Sequence, residues 1–473
     1  MSLSRHPPVG LVTVSLLAAL ASALGARSAL ADGAFPDSMS VLVPAGRPHE
    51  IVLATNFGII TSEDHGASWT WSCEQDQRGS RGLYQYGAPD KLRLFARDAV
   101  GLVFTDDGGC SWGVAAASGV VTDAFPDPVD PLRVFAVVAP MPYRLLESAD
   151  AGSTFGTVRY TAAGGVSISS VEIARSDPRT VYLVTLTSGS TFVTKLLRST
   201  DGGTSWKEQD VSGAVGSGSA RIIAIDPNDP MRVFLRFNAD TGDNKLVITE
   251  DGGATFMAPL EITGGFMSGF ALLASGTILV TGTVGVDPVL YRSKDRGMTF
   301  ATVAHPPKLW GLAQRGSRLY GAGQAGETFA VGTSTDEGTT WQPLMRYNQV
   351  AAIDSCVKAA CQEVCQAEVD LGLWDQAVCA ASAPPRPDGS APADADADAG
   401  GGGGATGDAG DGDAGGKTPS GAGDGNLGRR GCSCETAGAP GASALPLLLC
   451  AAALYARQIR LRRRRHVQTS GQE

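Results

Sequence analysis

Seven aspartates recur in one short motif, Ser/Thr-x-Asp-x-Gly-x-Thr/Ser-Trp/Phe. They are Asp64, Asp107, Asp150, Asp201, Asp251, Asp295 and Asp336, spaced by 43, 43, 51, 50, 44 and 41 residues. A carboxylate repeated at this period could hold a metal ion or serve acid–base chemistry. The residues around it argue instead for a hairpin turn. The glycine two positions on (Gly66, Gly109, Gly152, Gly203, Gly253, Gly297, Gly338) supplies the positive φ of a tight turn. The carboxylate can accept N–H groups of its own turn. The closing aromatic (Trp69, Trp112, Phe155, Trp206, Phe256, Phe300, Trp341) is an apolar wedge that packs one hairpin on the next. The aspartates are therefore read as scaffold, and no catalytic, cofactor-binding or metal-binding residue is assigned among them.

The rest of the chain offers little conventional chemistry. Of five histidines, at 6, 49, 65, 305 and 466, only His49 and His305 lie outside the motif and the two chain ends. Two are too few for a histidine-based metal cluster. No His-Glu-x-x-His motif is present. A glycosidase needs two carboxylates roughly 5–9.5 Å apart. With 48 acidic residues such a pair could exist, but the sequence does not select one. The net charge of −10 excludes nucleic acid as the expected partner, because a phosphate backbone calls for a basic surface. No cofactor is expected.

The elements that must carry the motif are short strands. Upstream of each copy runs an apolar, β-branched segment: 51–55, 92–95, 134–138, 181–184, 233–235, 278–280 and 319–320. Asp130-Pro131, Asp177-Pro178 and Asp229-Pro230 each mark a turn entering such a strand. About 45 residues per unit accommodates four short strands, one propeller blade. The expected fold is all-β: a seven-bladed β-propeller of four-stranded antiparallel blades over 34–349. Residues 40–43 supply an early strand of the first blade or help close the ring. The wider gaps around the fourth and fifth copies predict longer loops at 187–191 and 238–245, where ligand contacts are expected.

The motif resembles the Asp-box, or BNR repeat, of sialidase, sortilin-type, xyloglucan-hydrolase and photosystem-assembly-factor propellers. The resemblance covers about 34–349 and implies that these turns sit on the rim, away from the ligand face. No sialidase catalytic residue carries over. The early Phe/Tyr-Arg-Ile-Pro string is absent, and Tyr143-Arg144-Leu145 lies beside the third copy without a proline.

Both ends read as addresses. Residues 1–31 combine Arg5 and His6, an apolar run over 9–24 and Ala29-Leu30-Ala31, a secretory signal cleaved after Ala31. Residues 381–430, rich in Ala, Gly, Asp and Pro, form a disordered linker. Its Asp394-Ala395-Asp396-Ala397-Asp398 run lacks the glycine and closing glutamate of a calcium loop. Residues 431–466 hold Cys432 and Cys434, an apolar stretch over 442–456 and six arginines. They resemble the MYXO-CTERM sorting signals of myxobacterial surface proteins. That implies cleavage and lipid linkage at Cys432 or Cys434. A plain C-terminal transmembrane helix is the alternative. Both ends are net basic, so their removal would leave the body more acidic still.

For an exported chain, cysteines read as disulfides. Cys73 and Cys110 are expected to bridge adjacent blades. Cys356, Cys361, Cys365 and Cys379 form a separate cluster in a helical cap over 350–380. A helix at 350–369 and a returning segment at 371–379 would carry two disulfides there, with three possible pairings. A zinc site lacks histidine. The sequence thus predicts an exported, surface-anchored monomer that binds an extracellular protein or glycan without catalysis. A surface glycoside hydrolase is the runner-up, and an assembly factor for a membrane complex is the third reading.

Overall fold

The computed structural model describes residues 37–73, 84–87, 93–97 and 101–383. Ala31, Cys432, Cys434, the predicted signal and anchor, and the predicted linker after its first three residues, 381–383, lie outside them. The described residues form seven sheets, each with four antiparallel strands taken in chain order. The blades span 38–73, 84–114, 120–161, 166–210, 218–262, 265–302 and 309–345. The fold is a seven-bladed β-propeller. The first strand of each blade faces the axis, and neighbouring first strands pack on one another, as Val120–Pro126 does on Val166–Ile173 and Val166–Ile173 on Gly218–Ile225.

The second strands explain why the sequence reads as short unbroken apolar runs. Their side chains alternate between two faces, and both faces are buried. In blade 3, Phe135 and Val137 face blade 4, while Val134, Ala136 and Val138 face blade 2. The core is accordingly divided into seven apolar clusters, one per blade–blade joint.

The first four strands of each blade come from one contiguous segment, so among the described residues no four-stranded blade is completed by a strand from the other end of the chain. Closure comes from elsewhere. Ser38–Leu42, the expected early strand, is the innermost strand of blade 1 and packs against the first two strands of blade 7. After blade 7 the chain crosses to blade 1, where Val350–Ile353 pairs parallel to Trp69–Cys73 as a fifth strand. This corrects the helix expected over 350–369. Its first four residues, Val-Ala-Ala-Ile, complete an open sheet edge instead. The helix is Lys358–Asp370. The returning segment forms Gln376–Ala380. Ala383 then donates its N–H to the Ile353 carbonyl at 3.1 Å, extending the same edge.

The disulfides are also paired differently from the expectation. Cys73 bonds Cys361, Cys110 bonds Cys356, and Cys365 bonds Cys379. The helix does place Cys361 and Cys365 together at its buried side, but they serve different partners. Two of the three bonds tie the cap to blades 1 and 2 across 288 and 246 residues. Spacing along the chain could not show this, because the partners meet only once the ring has closed. Cap residues Val357, Leu373, Trp374 and Val378 join Ile51, Trp71, Tyr320 and Met345 in the cluster at the joint of blades 7 and 1.

Removing the two long-range disulfides together, by Cys73→Ser and Cys110→Ser, is expected to lower the unfolding temperature and admit protease at the joint of blades 7 and 1. A native disulfide of this kind contributes about 2–5 kcal/mol. Coincident melting curves for variant and parent under non-reducing conditions would show that the cap does not hold the ring.

Candidate functional site

The seven repeated turns join the third and fourth strands of each blade and share one bonding pattern. The first Ser/Thr hydroxyl donates to Asp Oδ1 at 2.7–2.9 Å. It also accepts the glycine N–H at 2.8–2.9 Å. The second Ser/Thr donates its hydroxyl to Oδ2 at 2.5–2.6 Å. Two consecutive residues take positive φ, as in His65-Gly66, Ala151-Gly152 and Gly202-Gly203. Each aspartate is thus consumed by its own turn and its acidity is increased. In Asp295 the Thr299 hydroxyl and N–H and the Ser293 hydroxyl bring the carboxyl down to about 2. In Asp336, desolvation works against the shift, but the same kinds of donor again hold it at about 2.

Every closing aromatic lies in the apolar cluster between its own blade and the preceding one. Trp112 packs with Val52 and Leu94, Phe155 with Phe95 and Val134, and Trp206 with Phe135 and Leu183. The wedge expected from sequence is therefore the blade-to-blade contact. A Gly-x-Ser-x-Gly string, the spacing of a hydrolase nucleophile turn, occurs at 109–113. Its Ser111 donates to Asp107 at 2.6 Å in a strand-to-strand turn, so it is scaffold as well.

A second connector was not foreseen. In four of the seven turns the residue between Asp and Gly offers its carbonyl to an arginine of the preceding blade. Arg93 reaches Ala151 at 2.6 Å, Arg133 reaches Gly202 at 3.3 Å, Arg232 reaches Arg296, and Arg292 reaches Glu337 at 3.2 Å. The signal was present in the sequence. Arg93, Arg133 and Arg232 each immediately precede the second strand of their blade, whereas blades 4 and 6 have Thr180 and Thr277 there and carry Arg198 and Arg292 just before the turn serine.

The turns and the first-to-second-strand connections share one end of the propeller, since His65, Ala151, Gly202 and Gly252 donate N–H groups to His49, Leu132, Arg179 and Met231. The second-to-third-strand loops and the blade crossovers therefore share the other end. The loops expected at 187–191 and 238–245 lie there as hairpins of 188–192 and 240–243. They are joined through the crossover: Phe192 donates its N–H to the Ser217 hydroxyl at 2.9 Å, and Ser217 donates to Asp240. The wider spacing of the repeats is partly taken up by the helical turn Ser212–Val215 in that crossover.

Between these ends, the axis-facing strands bring together charges that the sequence did not single out. Arg221 of blade 5 donates to Asp123 Oδ1 of blade 3 at 2.8 Å, passing over blade 4. Asp123 Oδ2 accepts the Val171 N–H of blade 4 at 3.0 Å. Burial raises the Asp123 carboxyl even so, with Arg221 opposing. Beside it, Glu172 makes no hydrogen bond or ion pair among the described residues. Desolvation first, and then the neighbouring Asp123, push Glu172 up to about 8, so it is a neutral acid at physiological pH. Arg236, opposite Arg221 on the neighbouring strand, donates to the Met267 carbonyl at 3.3 Å and lies 5.2 Å over the Phe266 ring. The sequence signal was a charged residue interrupting an apolar inner strand, as in Val171-Glu172-Ile173 and Ala220-Arg221-Ile222.

No described protein family matches the sequence, and no curated protein matches it. The solved structures it resembles are β-propellers. YCF48 from Cyanidioschyzon merolae is 15% identical, with a TM-score of 0.44 over 62% of this chain and 94% of that one. The propeller domain of the Trilobed protease from Pyrococcus furiosus, described as having an open velcro topology, is 11% identical, with a TM-score of 0.46 over 67% and 99%. The GH74 xyloglucanase from Xanthomonas campestris is 15% identical, with a TM-score of 0.37 over 70% of this chain. The chain spans about half the length of that enzyme, 48%. Likeness at this level concerns the fold alone.

Two pH dependences follow. Turn carboxylates that titrate near 2 when folded and near 4 when unfolded stabilise the fold fully above about pH 4 and lose that contribution as pH falls toward 2. Tryptophan fluorescence on acid titration should therefore report unfolding in that window, not between pH 7 and 5. Glu172 behaves oppositely. Its folded form keeps a proton that the unfolded chain releases near 4.5, so stability falls as pH rises toward 8. Glu172→Gln should remove this slope and melt higher than the parent above pH 8, and parallel melting-temperature profiles would refute the assignment.

Proposed function

We propose that the protein is an exported, surface-held propeller that binds a protein or glycan without catalysing a reaction. The observation that carries this is the state of the channel carboxylates. Asp123 has both oxygens engaged, one by Arg221 and one by the Val171 N–H. Asp37, at the start of blade 1, has its two oxygens taken by the Trp310 indole at 2.7 Å and the Ala325 N–H at 2.7 Å. Two-carboxylate hydrolysis needs an ionised carboxylate that can reach the sugar or a water, roughly 5–9.5 Å from a protonated one. Glu172 supplies an acid, while the carboxylate beside it is held by scaffold bonds.

The Asp-box reading of the seven turns rests on their shared bonding pattern, and the surface anchor rests on the sequence of residues 431–466. Glycoside hydrolysis is the second reading, and the protonated Glu172 beside Asp123 is what favours it. The purified protein, incubated for many hours with sialylated and plant-type glycans, is expected to release neither sialic acid nor reducing ends. Release abolished by Glu172→Gln would replace the binding reading with a glycosidase. The anchor has its own check: mass spectrometry should find a processed, modified end at Cys432 or Cys434, and an intact arginine tail would dismiss it.

A further inference from the structure

Arg221 and Arg236 stand directly opposite one another on adjacent strands of blade 5. Like charges in that position repel, and burial first, then this repulsion, lowers the Arg236 pKa. Arg221 has Asp123 as a counter-ion. Among the described residues Arg236 has none: it bonds only the Met267 carbonyl, and its Nε is buried without a partner. Arg221 is matched by Asp123, so Arg236 is the arginine of the facing pair that no carboxylate pairs with among the described residues. A desolvated cation lacking a counter-ion is costly to a fold, and an anionic ligand would supply what is missing.

The surroundings narrow the anion's class. Phe266, whose ring carries Arg236, is 40% exposed near the loop end of its strand. Trp310 of blade 7 meets it edge-on, with ring centroids 6.2 Å apart. An aromatic platform of this kind suits the apolar face of a sugar ring. Deeper in the ring, a neutral glutamic acid both donates and accepts, as sugar hydroxyls require. Val284, beside Phe266 at the same end, and Val286, in the adjoining hairpin turn, are also exposed, so the platform opens on the loop face.

We propose that this mouth, formed by Arg236, Arg221, Phe266 and Trp310 above Glu172, binds a hexuronic acid unit of an acidic polysaccharide. The carboxylate lies on the arginine pair and the sugar ring on Phe266. The inference deepens the binding-module reading and rests on it.

The test is calorimetric titration of the full chain with a tetragalacturonate, its methyl-esterified form, free galacturonate and an acidic peptide. Tetragalacturonate should bind at least tenfold more tightly than its ester and more tightly than the free sugar acid. Phe266→Ala and Arg236→Gln should each weaken it about tenfold or more, while Arg318→Gln, at the exposed first position of the second strand of blade 7, should leave it unchanged. Because Phe266 is partly exposed, Phe266→Ala should fold even if Arg236→Gln does not. Equal affinity for acid and ester, indifference to Phe266→Ala, or preference for the peptide would overturn the proposal and leave the binding-module reading intact. Binding followed by chain cleavage would uphold the site and overturn the non-catalytic reading.

Discussion

Everything in this structure depends on bringing blade 7 back against blade 1. Each blade forms from one local stretch of chain, so six of the seven joints arise between sequence neighbours. The seventh joins segments about 270 residues apart and must meet the entropy of closing that loop. This chain does so with the backbone pairing of a parallel fifth strand on blade 1, an apolar cap and two disulfides. The cap is therefore part of the ring's closure, and its buried tryptophan, Trp374, lies 5.1 Å from Trp71 of blade 1.

Around the rest of the ring one device is repeated with small variations. The turn aspartate fixes the turn, the turn aromatic fills the joint to the preceding blade, and in four turns the carbonyl beside the aspartate accepts an arginine from that blade. Polar and apolar contacts thus act on the same joint from the same eight residues. Charged hydrogen bonds such as those of Arg133, which also meets Asp127 at 3.2 Å and Glu147 at 2.9 Å, are partly shielded from solvent. Breaking one leaves a buried charge unpaired, which is why these arginines act as structural residues despite their charge. Blade 6 supplies the arginine from a different strand end, as Arg292 to the Glu337 carbonyl, and blade 4 directs Arg198 from the same place to the Met231 sulfur of the next blade, so the joint, not the residue's place in the repeat, is what the geometry maintains.

The rigid ring in turn sets the electrostatics of the channel. Asp123, Glu172 and Arg221 come from three successive blades, and none would meet another without the curvature of the ring. Enclosure by the inner strands keeps Glu172 protonated and leaves the Arg236 charge poorly compensated. Both residues lie apart from the repeated turns, on which a sequence reading first concentrates.

The sequence by itself determined the number of blades, the strand class and the structural role of the seven aspartates. Each of these is written within about ten residues: a hydroxyl two positions before Asp, a glycine two after, an aromatic five after. Local hydrogen bonding and backbone sterics suffice to read them. Only the tertiary structure decided the disulfide partners, the strand at 350–353 and the channel cluster. Cys73 and Cys361 are 288 residues apart in sequence yet 5.4 Å apart at Cα. Val350–Ile353 lies in a stretch read as helix until an open sheet edge is presented to it. Arg221 and Asp123 become partners because seven similar blades, each with a right-handed twist, bend into a closed circle. Contacts made by closure have no fixed spacing along the chain, so no pattern in the sequence could announce them.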